Sequence, residues 1–218
     1  ASAGSITATL AALSSCLPKN DDPTRDLGWL MWFDVGHKEL FYSKGLTPIS
    51  VLTRAPLVQH MSRAKQAWQN GLANGCDVVL GLVASREQTL PVETDRGHTI
   101  ARSEERFAVR VVGRGPGVFP RAENWVDPTA PLPQPVLPFV PDSDTPDAAS
   151  RNFDILRDLV FAAAATPGLF SPQTLRLCYT DPRRPGVPGC EPPDEKATFS
   201  DGGALDARPL VWAHRLAV

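Results

Sequence analysis

Apolar positions change their period along the chain, and the changes mark out the elements. Ile6, Leu10 and Leu13 recur at i, i+4 and i+7 within the small, apolar run 6–13, which predicts a helix. Residues 18–24 form a polar, turn-rich break. Residues 27–33 carry the densest aromatic cluster, with Trp29, Trp32 and Phe33 beside Leu27, Leu30 and Met31. Two readings fit it: a helical turn packed on the core, or a cap lining an apolar pocket. The clearest helix is 56–72, where Leu57, Met61, Ala64, Trp68 and Leu72 share one face opposite Lys65, Gln66, Gln69 and Asn70. Ala73-Asn74-Gly75 supplies its C-terminal stop. The run 78–83, Val-Val-Leu-Gly-Leu-Val, is nearly continuous in apolar residues, as expected of a strand buried on both faces. A helix followed at once by such a strand predicts an α/β fold with a mainly parallel sheet flanked by helices.

Further strands are predicted at 107–112 and 98–102, paired with each other as an antiparallel extension of the main sheet. Residues 113–147 hold Pro128, Pro131, Pro133, Pro135, Pro138 and Pro141, and a loop without regular structure is expected there. Its apolar members Val136, Leu137, Phe139 and Val140 either strap the loop to the surface or cover a site mouth or membrane interface. A second helix is predicted over 152–165, with Phe153, Leu156, Leu159, Val160 and Ala163 on one side and Thr166-Pro167-Gly168 as its stop. A strand follows at 175–179, another short strand runs into Asp201, and Pro209 opens a final helix over 209–216.

Composition narrows the class. The chain has 218 residues and is 42% hydrophobic, enough for one domain over 1–218 with a real core. A net charge of -2 predicts no field that would hold nucleic acid, so an amphiphilic substrate has to be held by apolar contact. The 22 prolines, about twice ordinary usage, point to long ordered loops. Cys16, Cys76, Cys178 and Cys190 have no paired metal-ligand spacing. Cys16 and Cys76 are expected as buried free thiols. Cys178 and Cys190 flank a Pro- and Gly-rich loop that a disulfide would close, which would imply an oxidising compartment. Without that bond the cytoplasm is favoured.

Chemistry concentrates at the two ends. Ala1-Ser2-Ala3-Gly4-Ser5 reads as the last positions of a G-x-S-x-G nucleophile elbow, with Ser2 exposed on a sharp turn into the helix. Ala3 leaves its backbone N–H open to an oxyanion, and Gly4 is expected to let the helix pack close to a strand. An N-cap serine with tight packing is the competing reading. At the far end, Thr198-Phe199-Ser200-Asp201-Gly202-Gly203 is a strand running into a turn that carries a carboxylate. A plain Asp-Gly turn would look the same.

Three segments in order, A-S-A-G-S at 1–5, A-A-A-A-T-P-G-L-F-S-P at 162–172 and F-S-D-G-G-A-L-D-A-R-P-L at 199–210, resemble the patatin-like phospholipase family. The resemblance implies a three-layer α/β sandwich and a serine lipid acyl hydrolase working by a Ser-Asp dyad, without cofactor or metal. It makes Ser2 the nucleophile and Asp201 its base, with Ala3 and Gly4 in the elbow and Gly202 and Gly203 supporting the aspartate. Ala207 departs from the family, which often has Asn there. The family's Gly-rich oxyanion loop and the strand feeding the elbow have no counterpart in the chain. An upstream segment or companion fragment is therefore expected to supply both. A lipid or ester substrate follows from the resemblance, with peripheral membrane contact allowed. Two rivals stand beside it. Ser2, Asp201 and His214 fall in the chain order of an α/β-hydrolase triad, and a non-catalytic lipid-binding or assembly module would keep the fold without the reaction.

Overall fold

A computed structural model describes residues 3–18, 22, 26–33, 35, 40–41, 50–93, 97–127, 130, 132–141, 144–180, 195–202 and 216. Helices α1 (Ala3–Ser15), α2 (Leu27–Trp32) and α3 (Ala55–Asn70) precede strands β1 (Asp77–Glu93), β2 (Thr99–Val112), β3 (Arg121–Asn124) and β4 (Pro135–Val136). Helix α4 (Pro146–Ala163) and strands β5 (Gln173–Tyr179) and β6 (Glu195–Asp201) follow. Among the described residues the strands form one six-stranded sheet in the order β3-β2-β1-β6-β5-β4.

Every ladder between these strands is antiparallel. The expected three-layer sandwich with a mainly parallel sheet is therefore wrong. The apolar run 78–83 misleads on strand direction and also on burial, since Leu80, Leu82 and Val83 are buried but Val78 and Val79 are half-buried and Gly81 is exposed. β1 turns back into β2 as a long hairpin, pairing Asp77 with Val112 and Glu93 with Thr99. The strands expected at 98–102 and 107–112 are one continuous strand, and their partner is β1 rather than each other. β6 then pairs with β1 only at Ala84–Arg86, and at Ala84 and Ser85 β1 has a neighbour on each side.

The inward residues alternate as strand geometry requires. Leu80, Leu82 and Ala84 of β1, Phe107, Val109 and Val111 of β2, Leu175 and Leu177 of β5, and Ala197 and Phe199 of β6 share one core with the helices. Helix α4 lies on this face through Phe153, Leu156, Leu159 and Val160. Helix α3 buries Leu57, Met61, Ala64 and Trp68, the face its period predicted. Trp68 meets Phe153 edge-on at 5.8 Å, and Phe107 meets Phe199 at 5.7 Å. Each fully buried Leu or Phe contributes about 2 kcal/mol. α4 begins at Pro146, earlier than expected, because the Thr145 side chain caps it by accepting from Ala148 N–H. In α2, Leu27 and Met31 are buried while Trp29, Trp32 and Phe33 are exposed, so neither reading of that stretch holds throughout.

The segment expected as an irregular loop over 113–147 contains both edge strands, β3 and β4. Their free edges do not share a ladder. A side chain joins them instead: Asn124 Nδ2 donates to Leu137 O at 2.8 Å, and Leu137 N donates to Asn124 Oδ1 at 2.8 Å. The sheet is thereby curled into a nearly closed barrel-like form. Gln134 holds both backbone groups of Asp127 in the same way, and Asn152 holds both of Val140. Val136, Leu137 and Phe139 are buried, so they strap the segment down and are not free to meet a membrane.

Cys16 and Cys76 form a disulfide and are not the free thiols expected. It ties the end of α1 to the start of β1, next to the hydrogen bond from Ala73 N to Cys16 O. Cys178 is disulfide-bonded too, and Cys190 lies outside the described residues. The final helix expected over 209–216 lies almost wholly outside them.

Replacing Asn124 with Ala leaves Leu137 without both partners and is expected to cost about 2 kcal/mol. Urea unfolding of the variant checks this; a loss within error would mean the sheet edges are held by other contacts. Replacing Cys16 and Cys76 together with Ser opens a loop of 60 residues and is expected to cost about 4 kcal/mol. The fall in unfolding free energy relative to oxidised wild type measures it.

Candidate functional site

β6 ends at Asp201, which sits opposite Ala84 of β1 and is only 5% exposed. Its contacts include three hydrogen bonds. Its N–H donates to Ala165 O at 2.9 Å, its carbonyl accepts from Ser85 Oγ at 3.0 Å, and its carboxylate Oδ2 accepts from Thr166 Oγ1 at 3.0 Å. Ala165 and Thr166 lie just past α4. Gly202 follows so close to β1 that an added Cβ would run into the Val83 carbonyl. Glycine at 202 is thus required by space, since backbone cannot give way as a side chain can.

Ser2 and Gly203 lie outside the described residues, as do Ala207 and His214, so the geometry of a dyad or triad is not among the distances here. Helix α1 starts at Ala3, and its first-turn N–H groups have no intrahelical acceptor. Gly4 is exposed, and a Cβ there would meet nothing within 4 Å, so the close helix–strand approach expected of it is not found. The nearby Ser5 is buried, and its Oγ donates to Val160 O in α4 at 3.5 Å. α4 and the turn after it therefore touch α1 at one level and Asp201 at another. The segments 162–172 and 199–202, far apart in sequence, meet just past the end of α4, while Ser5 reaches the helix at Val160.

A second polar group lies inside the sheet. Glu105 of β2 is fully buried. Its Oε1 accepts from Tyr179 Oη of β5 at 2.6 Å, and Tyr179 Oη accepts from Arg86 Nη1 of β1 at 2.6 Å. Arg102 Nη2 stands 2.6 Å from Glu105 Oε2, a charge contact without hydrogen-bond alignment. Arg86 also pairs with Glu195 of β6. Burial pushes the Glu105 carboxyl above the usual range; Arg102, the Tyr179 hydroxyl and Arg86 pull it back, and Glu195 adds to the rise. Burial and the bond to Glu105 likewise push the Tyr179 phenol up.

Sequence reasoning missed this group, as it missed Thr166 and Ser85. The signal existed for the charges: Arg86 continues the inward series Leu80, Leu82, Ala84, and Glu105 begins the series Phe107, Val109, Val111. A charge in register with an apolar alternation has to be buried with a partner. Thr166 carries no such signal, because its contact with Asp201 depends on how α4 and β6 meet.

Among the described residues no set of three His, Cys, Asp or Glu could hold a metal ion, and no helix is long and apolar enough to cross a membrane. Comparison with known families, with characterised proteins and with solved structures finds no match.

The Glu105 shift has a sign that can be checked. An acid whose folded pKa is raised binds more protons folded than unfolded, so stability from this group falls as pH rises above its ordinary 4.5. Unfolding of wild type and Glu105→Gln at a series of pH values from about 4.5 to 8 isolates it. The stability of wild type relative to the variant is expected to decline with rising pH. A constant difference would show that Arg86 and Arg102 compensate the carboxylate fully.

Proposed function

We propose that the chain is the catalytic part of a serine lipid acyl hydrolase, with Ser2 as nucleophile and Asp201 as base. The observation that carries this reading is the buried strand-end carboxylate of Asp201, held against Ala165 and Thr166 just past α4. The same helix is touched by Ser5 of α1 at Val160.

Ser2 Oγ attacks the ester carbonyl carbon while its proton passes to the Asp201 carboxylate. The oxyanion that forms is stabilised by the Ala3 N–H and the positive end of α1. Collapse breaks the ester bond, and the departing alcohol takes the proton from Asp201. Asp201 then accepts a proton from water as that water attacks the acyl-serine. The tetrahedral species expels Ser2 Oγ, which recovers the proton, and the carboxylic acid leaves. A carboxylate is a weak base for an alcohol, so the step depends on short contact and on stabilised charge. The substrate is an apolar ester held by acyl contacts, in keeping with the net charge of -2.

The Cys16–Cys76 bond and the oxidised Cys178 favour an oxidising compartment over the cytoplasm. The antiparallel sheet does not bear on the reaction itself, since function resides in the site rather than in the fold.

A second reading, a non-catalytic lipid-binding module, draws on the Thr166–Asp201 bond: a carboxylate so held can serve only to tie β6 to α4. A fluorophosphonate probe separates the two. Intact mass and peptide mapping of the full-length protein are expected to find one adduct, on Ser2, that is lost in Asp201→Asn. A folded protein that takes up no probe would exclude the hydrolase and leave the binding module.

A further inference from the structure

We infer that the outer part of the β1–β2 hairpin, residues 90–93 and 99–102, is an arm that opens separately from the sheet, and that Glu105 latches it shut through Arg86 and Arg102. This goes beyond the hydrolase reading and does not rest on it. The strand pairings mark the arm off. β6 pairs with β1 as far as Arg86, and β3 pairs with β2 from Val109 to Val112. Past these ladders the ribbon is two strands wide among the described residues. At the same level the register breaks: β1 runs from Ser85 to Leu90 while β2 runs only from Glu104 to Arg102, so β1 carries three residues in excess. Such a bulge interrupts the ladder and bends the strand. Glu87, Gln88 and Thr89 in the bulge are exposed. Beyond it Pro91, Thr99, Ile100 and Ala101 are exposed as well, while Val92 is buried. A two-stranded ribbon has only marginal stability in water, so the order of the arm depends on what fastens its base.

Two arginines fasten it, one on each strand. Arg102 donates from Nη1 to Pro133 O at 2.6 Å, sets Nη2 2.6 Å from Glu105 Oε2 and lies over the Tyr179 ring. Arg86 spans the bulge. Its Nε donates to Gln88 O at 3.1 Å, its Nη1 donates to Tyr179 Oη at 2.6 Å, and its Nη2 pairs with Glu195. Glu105 stands between the two, with Arg86 Nη1 3.7 Å from its Oε1. Among the described residues, the charged and titratable groups facing Glu105 are Arg86 of β1, Arg102 of β2, Tyr179 of β5 and Glu195 of β6. Swinging the arm out draws Arg102 away and lets water reach the carboxylate. In the closed form burial holds the Glu105 carboxyl above its usual range, outweighing the pull of the arginines. In the open form that burial is gone. Protonated Glu105 therefore favours the closed arm and ionised Glu105 the open one, so opening increases as pH rises above the ordinary 4.5.

The test is hydrogen exchange of the full-length protein, read by mass spectrometry on peptides from the arm and, as reference, on peptides from α4, at pH values from about 5 to 8. Intrinsic exchange accelerates equally in both, so the ratio of their protection reports the arm alone. In wild type the arm is expected to exchange faster than α4 and to lose protection relative to it by about tenfold across that range, the effect of one unit of pKa difference. In Glu105→Gln, which has no charge to gain, the ratio is expected to stay within about twofold. An arm that keeps pace with α4 at every pH opens only when the whole protein unfolds, and that result overturns the inference from wild type alone, whether or not the variant folds. A Glu105→Gln protein whose arm loosens with pH as wild type does overturns the latch. Neither outcome touches the hydrolase reading.

Discussion

A side-chain amide presents a donor and an acceptor in one plane, as a peptide group does, and the closure of this sheet depends on that equivalence. Prolines thin out the backbone donors between residues 128 and 141, so the edge formed by β4 has little with which to build a ladder. An unpaired edge is costly when buried and adhesive when exposed. Asn124, Gln134 and Asn152 answer this by each pairing with both the N–H and the C=O of one residue. The pairing also fixes each amide's orientation, because only one way round satisfies both groups. β3 and β4 are held together across a gap that, among the described residues, no backbone hydrogen bond spans.

Closure has a consequence for the interior. Glu105 is wholly cut off from water and the Arg86 side chain nearly so, and with the partly exposed Arg102, Tyr179 and Glu195 they form one charged cluster. They come from four strands, β1, β2, β5 and β6, so the group is assembled only in the correct register. A slip of one residue would leave a buried charge alone. Apolar residues of equal volume would hold the strands at least as strongly, and what the ions add is discrimination against wrong pairings. The edge-on contact of Phe107 with Phe199, one layer in from Glu105, marks where the charged layer gives way to the apolar core.

The helical elements were legible in the chain because a period of 3.6 belongs to one segment alone. The face of α3 was read residue by residue, and the core side of α4 likewise. Strand direction was not legible, because an apolar run such as 78–83 marks a strand and not which way its neighbour runs; one face of it is only partly covered, with Val79 half-buried and Gly81 exposed. The same limit hid the pairing of β2 with β1. Cys16 and Cys76 lie 60 residues apart, and no local pattern connects them. They meet because the end of α1 and the start of β1 meet, which is a property of the packed chain. The Pro-rich stretch misled for a different reason: proline excludes a central strand but not an edge, and Pro135 opens β4 at an edge.

The strand-end carboxylate at Asp201 survived the change of fold, and the reason lies in how little it needs from the sheet. A site of this kind requires a strand to end beside a helix terminus, and a following residue without a side chain. β6 supplies the first by ending at Asp201, opposite Ala84 of β1 and beside the turn after α4. Gly202 supplies the second, by passing under the Val83 carbonyl where no other residue fits. Neither condition mentions whether the neighbouring strands are parallel. The features of 162–172 that stood out in the sequence, small residues followed by Thr-Pro-Gly, are those that let a helix stop abruptly and turn its last carbonyls and a hydroxyl toward β6. Local geometry was therefore readable where global topology was not, because the first is set by a few residues in contact and the second by the sum of pairings along the whole chain.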